Sequence, residues 1–215
     1  MKEISLNNPE LKSMLHEFSD WFYQQDIDIF KQESTRGEPD FSCVTTDYLN
    51  ELIEKDYRHV GFPEAMRGLE ISDEALKKPE FFHFRDSIRK ILFEVTSFIG
   101  ARNNALTAFY PEDGYIGWHT NWNASGHNLI FSYSEKGGGF FKYLDPETKE
   151  IVKMVDPAGE WTCKAGYFGN YDEKNNHFWH AAESNGSTRL TFSYIIPDED
   201  MWLDAIEEIE SHESQ

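Results

Sequence analysis

Two histidines and an arginine carry the chemistry this chain can do. His119 closes the run from Tyr110 through Pro111, Gly114 and Trp118, and Asn121 stands two residues after it. His180 follows His119 by 61 positions, and Arg189 follows His180 by nine. Imidazole nitrogens are good ligands for first-row metals. Two of them on a rigid β scaffold leave the far side of a metal open to a co-substrate and oxygen. Residues i and i+2 of a strand share a face, so His119 and Asn121 are placed to reach one metal. Arg189 offers a permanently charged fork that suits a carboxylate, and the Thr191 hydroxyl lies on the same strand face. A 2-oxo dicarboxylic acid fits both ends of such a site. Its keto-acid end chelates iron and its far carboxylate meets the arginine.

The third metal position is where the set departs from expectation. A carboxylate would be usual, and Asn121 offers a neutral amide oxygen, a poorer ligand. Asn121 still ligates or leaves its place to water, or the iron site is disabled and the protein only binds. Asp172 and Glu183 are the acids that folding would have to bring in as substitutes. His177 lies three before His180, on the opposite face of a regular strand, and His180 has the better spacing to Arg189. His127 follows a flexible Asn-Ala-Ser-Gly segment, as a loop residue or one at the substrate mouth. Trp118, Trp122 and Trp179 read first as core and wall packing. Trp122 and Phe131 are the alternative choice for the substrate pocket. His83 reads as structural or exposed.

These side chains need strands to hold them, and the second half of the chain supplies the pattern. Short apolar runs at 104–110, 115–120, 128–134, 139–144, 150–154, 160–168, 177–182 and 188–196 are separated by turn clusters. Among these are Asp113-Gly114, Gly137-Gly138-Gly139, Asp145-Pro146, Asp156-Pro157-Ala158-Gly159, Asn175-Asn176 and Asn185-Gly186. Eight such strands predict a jelly roll. Before them, Asn8-Pro9 caps a helix to about residue 25, Thr45 opens a short helix, and residues 81–99 carry a helical apolar face that Gly100 stops. Residues 1–7 read as a loose end and 26–45 as irregular, broken by Gly37 and Pro39. Residues 56–80, with Arg58, His59 and Arg67, read as a loop with one helical turn at 73–77, either a lid or a wrap around the core. An acidic helix runs from 198 to 212. The fold class is thus mainly β with flanking α-helices. It reads as one domain over 1–215, with a helical part at 1–100, an eight-stranded double-stranded β-helix at 101–197 and a C-terminal helix at 198–215.

Composition narrows the partners. Asp and Glu number 39 against 20 Lys and Arg, a net charge of −19, with no basic cluster longer than a pair. Such a surface repels phosphate backbones and disfavours a nucleic-acid substrate. Two cysteines give no disulfide framework and no zinc motif. No signal core or membrane-length apolar run is present, which reads as a soluble, cytoplasmic protein.

His119-Thr120-Asn121, His180 and Arg189-Leu190-Thr191, in this order and at these spacings, resemble the Fe(II)/2-oxoglutarate-dependent oxygenase superfamily. The family pattern is His-x-Asp/Glu, a distant His, and an Arg nine or ten residues beyond it. Tyr110, nine residues before the first His with Gly114 between, resembles a co-substrate contact found in part of the family. The resemblance covers about residues 85–197, and the small size is similar to that of members encoded by phages of marine bacteria, which would place the chain in a host cytoplasm. It implies a dioxygenase that uses Fe(II), 2-oxoglutarate and O2. His119, Asn121 and His180 would hold the metal, and Arg189, Thr191 and Tyr110 the co-substrate. Hydroxylation of a small molecule or peptide is the default outcome, and the resemblance adds a third outcome at Asn121, a gap that admits a halide as in the family's halogenases. A cupin-like jelly-roll binding protein is the alternative.

Overall fold

The computed structural model describes residues 1–35, 40–55, 61–173 and 176–212. In chain order the elements are β1 (Lys2–Ile4), α1 (Pro9–Tyr23), α2 (Asp28–Glu33), α3 (Thr46–Glu54), β2 (Met66–Arg67), β3 (Leu69–Glu70) and α4 (Phe82–Phe98). Strands β4 (Asn104–Tyr110), β5 (Tyr115–His119), β6 (Gly126–Ser134), β7 (Phe140–Leu144), β8 (Ile151–Val155), β9 (Trp161–Phe168), β10 (His180–Glu183) and β11 (Arg189–Ile196) follow. Helix α5 (Glu199–Glu210) comes last. All named strand pairs are antiparallel. One sheet runs β1-β9-β6-β11-β4-β3 and the other β2-β5-β10-β7-β8. Strands β4 to β11 thus cross between the two sheets in the order of an eight-stranded jelly roll.

Alternation along β11 decides what faces what. Leu190, Phe192, Tyr194 and Ile196 join Phe109, Leu129, Phe131 and Tyr133 in the larger core cluster. They pack there with Leu11, Leu15, Phe18 and Phe22 of α1 and Phe84, Ile88, Ile91 and Val95 of α4. Arg189, Thr191 and Ser193 take the other face, toward the second sheet. Asn8 caps α1, its Oδ1 accepting from the N–H groups of Glu10 and Leu11 at 3.0 and 3.1 Å. That cap is worth about 1 kcal/mol, against about 3–5 kcal/mol for one fully buried ring such as Phe22. Ring packing is therefore what holds α1 on the sheet.

The described residues of the first hundred form more elements than their sequence suggests. Residues 2–4, expected to be loose, pair with β9 and bury Ile4. The stretch at 26–45 contains α2, pinned by Phe30 among the rings of Phe22, Phe81, Phe84 and Phe109, and a 3-10 turn at Phe41–Val44. The 56–80 stretch supplies β2 and β3, one to each sheet. Six-residue helices and two-residue strands are too short to show a period. Arg58 and His59 lie outside the described residues, as do Gly37, Pro39 and Asn175. Among the described residues no helix is long and apolar enough to cross a membrane.

Candidate active site

The last residue of β5 and the first of β10 are register partners, and they are His119 and His180. Both are buried, and their ring centroids stand 4.1 Å apart. The pairing shifts register between His180 and Ala182, an irregularity of the kind that re-aims a side chain. Each ring is fixed in the same way. His119 Nδ1 lies 2.8 Å from the carbonyl oxygen of Gly117, and His180 Nδ1 lies 2.8 Å from that of Phe178. A carbonyl only accepts, so Nδ1 is the donor in both and the lone pair falls on Nε2. A backbone-pinned imidazole of this tautomer is a metal-ligand arrangement.

Electrostatics keep both rings neutral. Burial pushes the His119 pKa down to about 4, against the opposing pull of the Gly117 and His180 carbonyls. Burial and then the neighbouring His119 push His180 well below the usual range. Neutral imidazole is the ligating form. The metal-free protein should pay for this in acid. An unfolded histidine titrates near 6.5, so between pH 6.5 and 4 the unfolded chain takes up a proton that folded His119 refuses. Stability should fall through that window by up to about 3 kcal/mol for this one residue. Urea denaturation of metal-free protein at pH 7 and 4.5 measures the loss, which His119→Gln should reduce.

Asn121 reaches the pair by another route than expected. Strand β5 stops at His119, and Asn121 turns into the left-handed region at φ 54 and ψ 27. Asparagine tolerates that conformation better than most residues. Its Nδ2 stands 3.4 Å from His180 Nε2. Turning the amide over exchanges nitrogen for oxygen and gives a neutral oxygen donor beside the two imidazoles. Among the described residues no three His, Cys, Asp or Glu side chains gather as a metal site. Glu183 Oε1 instead accepts from Lys142 Nζ at 2.6 Å, and Asp172 is exposed.

His119, Asn121 and His180 share one cavity with Arg189, Thr191 and Tyr110, walled by Ile116, Ile130, Phe141 and Phe168. Its volume is about 50 Å³. A water molecule's share of the liquid is about 30 Å³, and small-molecule sites start near roughly 300 Å³. Admitting a five-carbon diacid therefore requires the apolar wall to open. Tyr110 is the register partner of Arg189. The guanidinium carbon lies 6.0 Å from the Tyr110 ring centre. Burial raises the Tyr110 hydroxyl to a pKa of about 12, opposed by Arg189. Glycines hold this tyrosine in place: a Cβ at Gly68 or Gly114 would come within 2.7 Å of it.

Arg189 is 2% exposed and already engaged. Its Nε donates to Asp156 Oδ2 at 2.7 Å, Nη1 to Thr191 Oγ1 at 2.6 Å and Nη2 to Ser132 Oγ at 2.8 Å. Lys164 Nζ donates to Asp156 Oδ1 at 2.9 Å and to Thr162 Oγ1 at 2.7 Å. Arg189 and Lys164 together hold the Asp156 carboxyl below its usual range against the effect of burial. Asp156, Lys164 and Ser132 escaped sequence reasoning. The signal is a lysine at an inward position of the mostly apolar β9, while Asp156 reads only as part of a turn.

Three residues expected near the pocket lie elsewhere. Phe131 lies in the larger core cluster beside Tyr194, because alternation along β6 turns Ile130 and Ser132 inward instead. His127 is sandwiched between Tyr167 and Trp202, with ring centres 5.0 and 4.9 Å away, on the side of α5. Trp122 packs on Tyr171 at 5.2 Å, just past Asn121 but off the cavity wall. His177 Nε2 lies 3.1 Å from the Asn170 carbonyl oxygen and ties down its own loop. Trp118 donates its indole N–H to the Val44 carbonyl and packs with Trp179 outside the second sheet. His83 pairs with Gln25 on the exposed side of α4.

Fold and site together define a jelly-roll protein whose cavity joins a buried histidine pair to a buried arginine–aspartate–lysine cluster. A Pseudomonas putida prolyl-4-hydroxylase is similar over 86% of this chain and 100% of its own, at 8% identity and a TM-score of 0.34. A 2OG-Fe(II) oxygenase family oxidoreductase from Burkholderia pseudomallei is similar over 73% of this chain and 83% of its own, at 11% identity and 0.34. A predicted oxalate decarboxylase from Thermotoga maritima is similar over 48% and 74%, at 13% identity and 0.27. No family model matches the chain, and no curated protein matches it in sequence. Likenesses this distant leave the chemistry to be read from the site's own residues.

Proposed function

We propose that the protein is an oxygenase dependent on Fe(II) and 2-oxoglutarate, acting as a hydroxylase on a small-molecule or peptidyl substrate. The observation that carries this is a single cavity lined both by two neutral, backbone-pinned histidines and by Arg189. His119 and His180 would hold the metal through Nε2, with Asn121 as a weak third donor or leaving its place to water. Iron with bound 2-oxoglutarate supplies the oxidative chemistry, in which O2 turns the 2-oxo acid into succinate and CO2 and one oxygen atom enters a substrate C–H bond. The chain's own part is to fix the ligands, bind the far carboxylate at Arg189 with Tyr110 alongside, and keep water out behind Phe141 and Phe168. The net charge of −19 favours a neutral or basic substrate over a polyanion.

A second reading has its own support. Asn121 brings no charge to the metal, and Arg189 already has a carboxylate partner in Asp156. A cupin-like binding protein without turnover would show both. Titration of metal-free protein with Co(II) under argon separates the readings. The oxygenase reading expects one equivalent bound with visible ligand-field bands, both lost in His180→Ala. It also expects Fe(II)- and O2-dependent succinate formation from 2-oxoglutarate, absent in Arg189→Ala. Cobalt binding that ignores His180→Ala would end the metal assignment. Binding without succinate would favour the silent protein.

A further inference from the structure

Arg189 has five N–H donors, and three are engaged by Asp156, Thr191 and Ser132. Nη1 and Nη2 each keep one more, enough for one carboxylate. The cluster behind it is unbalanced. Arg189 and Lys164 bring two positive charges and Asp156 one negative, with side-chain exposures of 2%, 2% and 0%. An Arg189–Asp156 pair alone would be neutral, so Lys164 is not needed to satisfy it. A lysine in such a place costs burial energy and leaves one positive charge in excess. It is also joined to the arginine's surroundings. Lys164 Nζ reaches Asp156 Oδ1 at 2.9 Å and Ser132 Oγ at 3.5 Å, and Ser132 also accepts from Arg189. The cavity begins at Arg189 and Thr191, and Lys164 lies behind them.

We infer that Lys164 and Asp156 set the selectivity of this site for a 2-oxo acid with a second carboxylate. Asp156 fixes Arg189 through Nε, so that the remaining Nη donors serve the ligand. Lys164 cancels the charge of Asp156, so that the arginine's own charge stays uncompensated until a ligand carboxylate arrives. Both are positioning residues; neither touches the ligand. The inference rests on the oxygenase reading, in which the ligand is a 2-oxo acid held at Arg189. It adds which acids the site accepts and which residues decide it.

The test compares 2-oxoglutarate with 2-oxopentanoate, which has a methyl group in place of the far carboxylate. Both are titrated calorimetrically into Mn(II)-loaded protein under argon. The wild type should prefer the diacid by about 100-fold or more, as expected for a charge-assisted bidentate pair out of water. Lys164→Met should shrink that preference by about 10-fold or more while leaving the affinity for 2-oxopentanoate unchanged. Lys164→Gln serves if the methionine variant does not fold. The double variant Asp156→Asn/Lys164→Met restores one net positive charge and should recover the preference, which a merely structural role for Lys164 would not produce. A wild type that does not distinguish the two acids, or binds neither, would refute the Arg189 anchor and the oxygenase reading with it. A wild type that discriminates and a Lys164→Met that discriminates equally well would overturn this inference alone.

Discussion

Asp156→Ala should destabilise the protein by about 3–5 kcal/mol, because it strips the anion from two buried cations at once. Arg189 Nε and Lys164 Nζ both lose their carboxylate partner, at 2.7 and 2.9 Å. Neither can turn to solvent, since both side chains are only 2% exposed. The arginine stays charged under any accessible condition. The lysine can shed its proton, which at pH 7 costs about 5 kcal/mol from its ordinary pKa and so caps the loss. Burial and the Arg189 charge already lower that pKa in the native protein, against the pull of Asp156. Lys164→Met should behave oppositely. It leaves a neutral Arg189–Asp156 pair and an apolar side chain of similar length, and should change stability by less than about 1 kcal/mol or raise it. Urea denaturation of the three proteins measures both effects. A small loss in Asp156→Ala would mean that the cluster is not charged as its geometry implies.

The second large effect concerns the weakest ligand. Asn121→Asp should tighten binding of Fe(II) or Co(II) by about 10-fold or more, since it replaces a neutral amide with a carboxylate beside two imidazoles. The backbone should not resist. The position sits at φ 54 and ψ 27, which aspartate adopts nearly as readily as asparagine. Without metal, the same substitution places a negative charge close to His180 Nε2, and should raise the pKa of that imidazole. Metal titration followed by absorption or calorimetry gives the affinities. An unchanged affinity would show that residue 121 does not reach the metal, and among the described residues the two histidines would then be its protein ligands.

The sequence revealed the jelly roll because its strands alternate and end at Gly, Asn, Asp and Pro clusters. Each of the eight core strands lies close to its expected place. The cavity-facing set of Tyr110, His119, Asn121, His180, Arg189 and Thr191 could be chosen because ligand chemistry restricts residue types and strand ends restrict position. What stayed hidden depended on sheet order. Asp156 is 33 residues from Arg189 and Lys164 is 25. The neighbourhood of β11, β6 and β9 brings Lys164 to Arg189, and Asp156 arrives from the end of β8 in the other sheet. Phe131 was misplaced for a related reason. Periodicity gives two faces to β6, and only its pairing of Ser132 with Thr191 shows which one looks inward. Asn121 comes near the histidines through a left-handed turn and not through the i, i+2 rule of a continuing strand. Strands of two or three residues, such as β1, β2 and β3, carry no period to read.

One cavity should bind iron through His119 and His180 and a 2-oxo diacid through Arg189. Anaerobic absorption of metal-free protein given Fe(II) and then 2-oxoglutarate tests this: a weak visible charge-transfer band should appear on adding the acid, and Arg189→Ala should lose it under the same conditions. Iron bound without that band would contradict the assignment of Arg189, and no iron bound at all would contradict the histidine pair as a metal site.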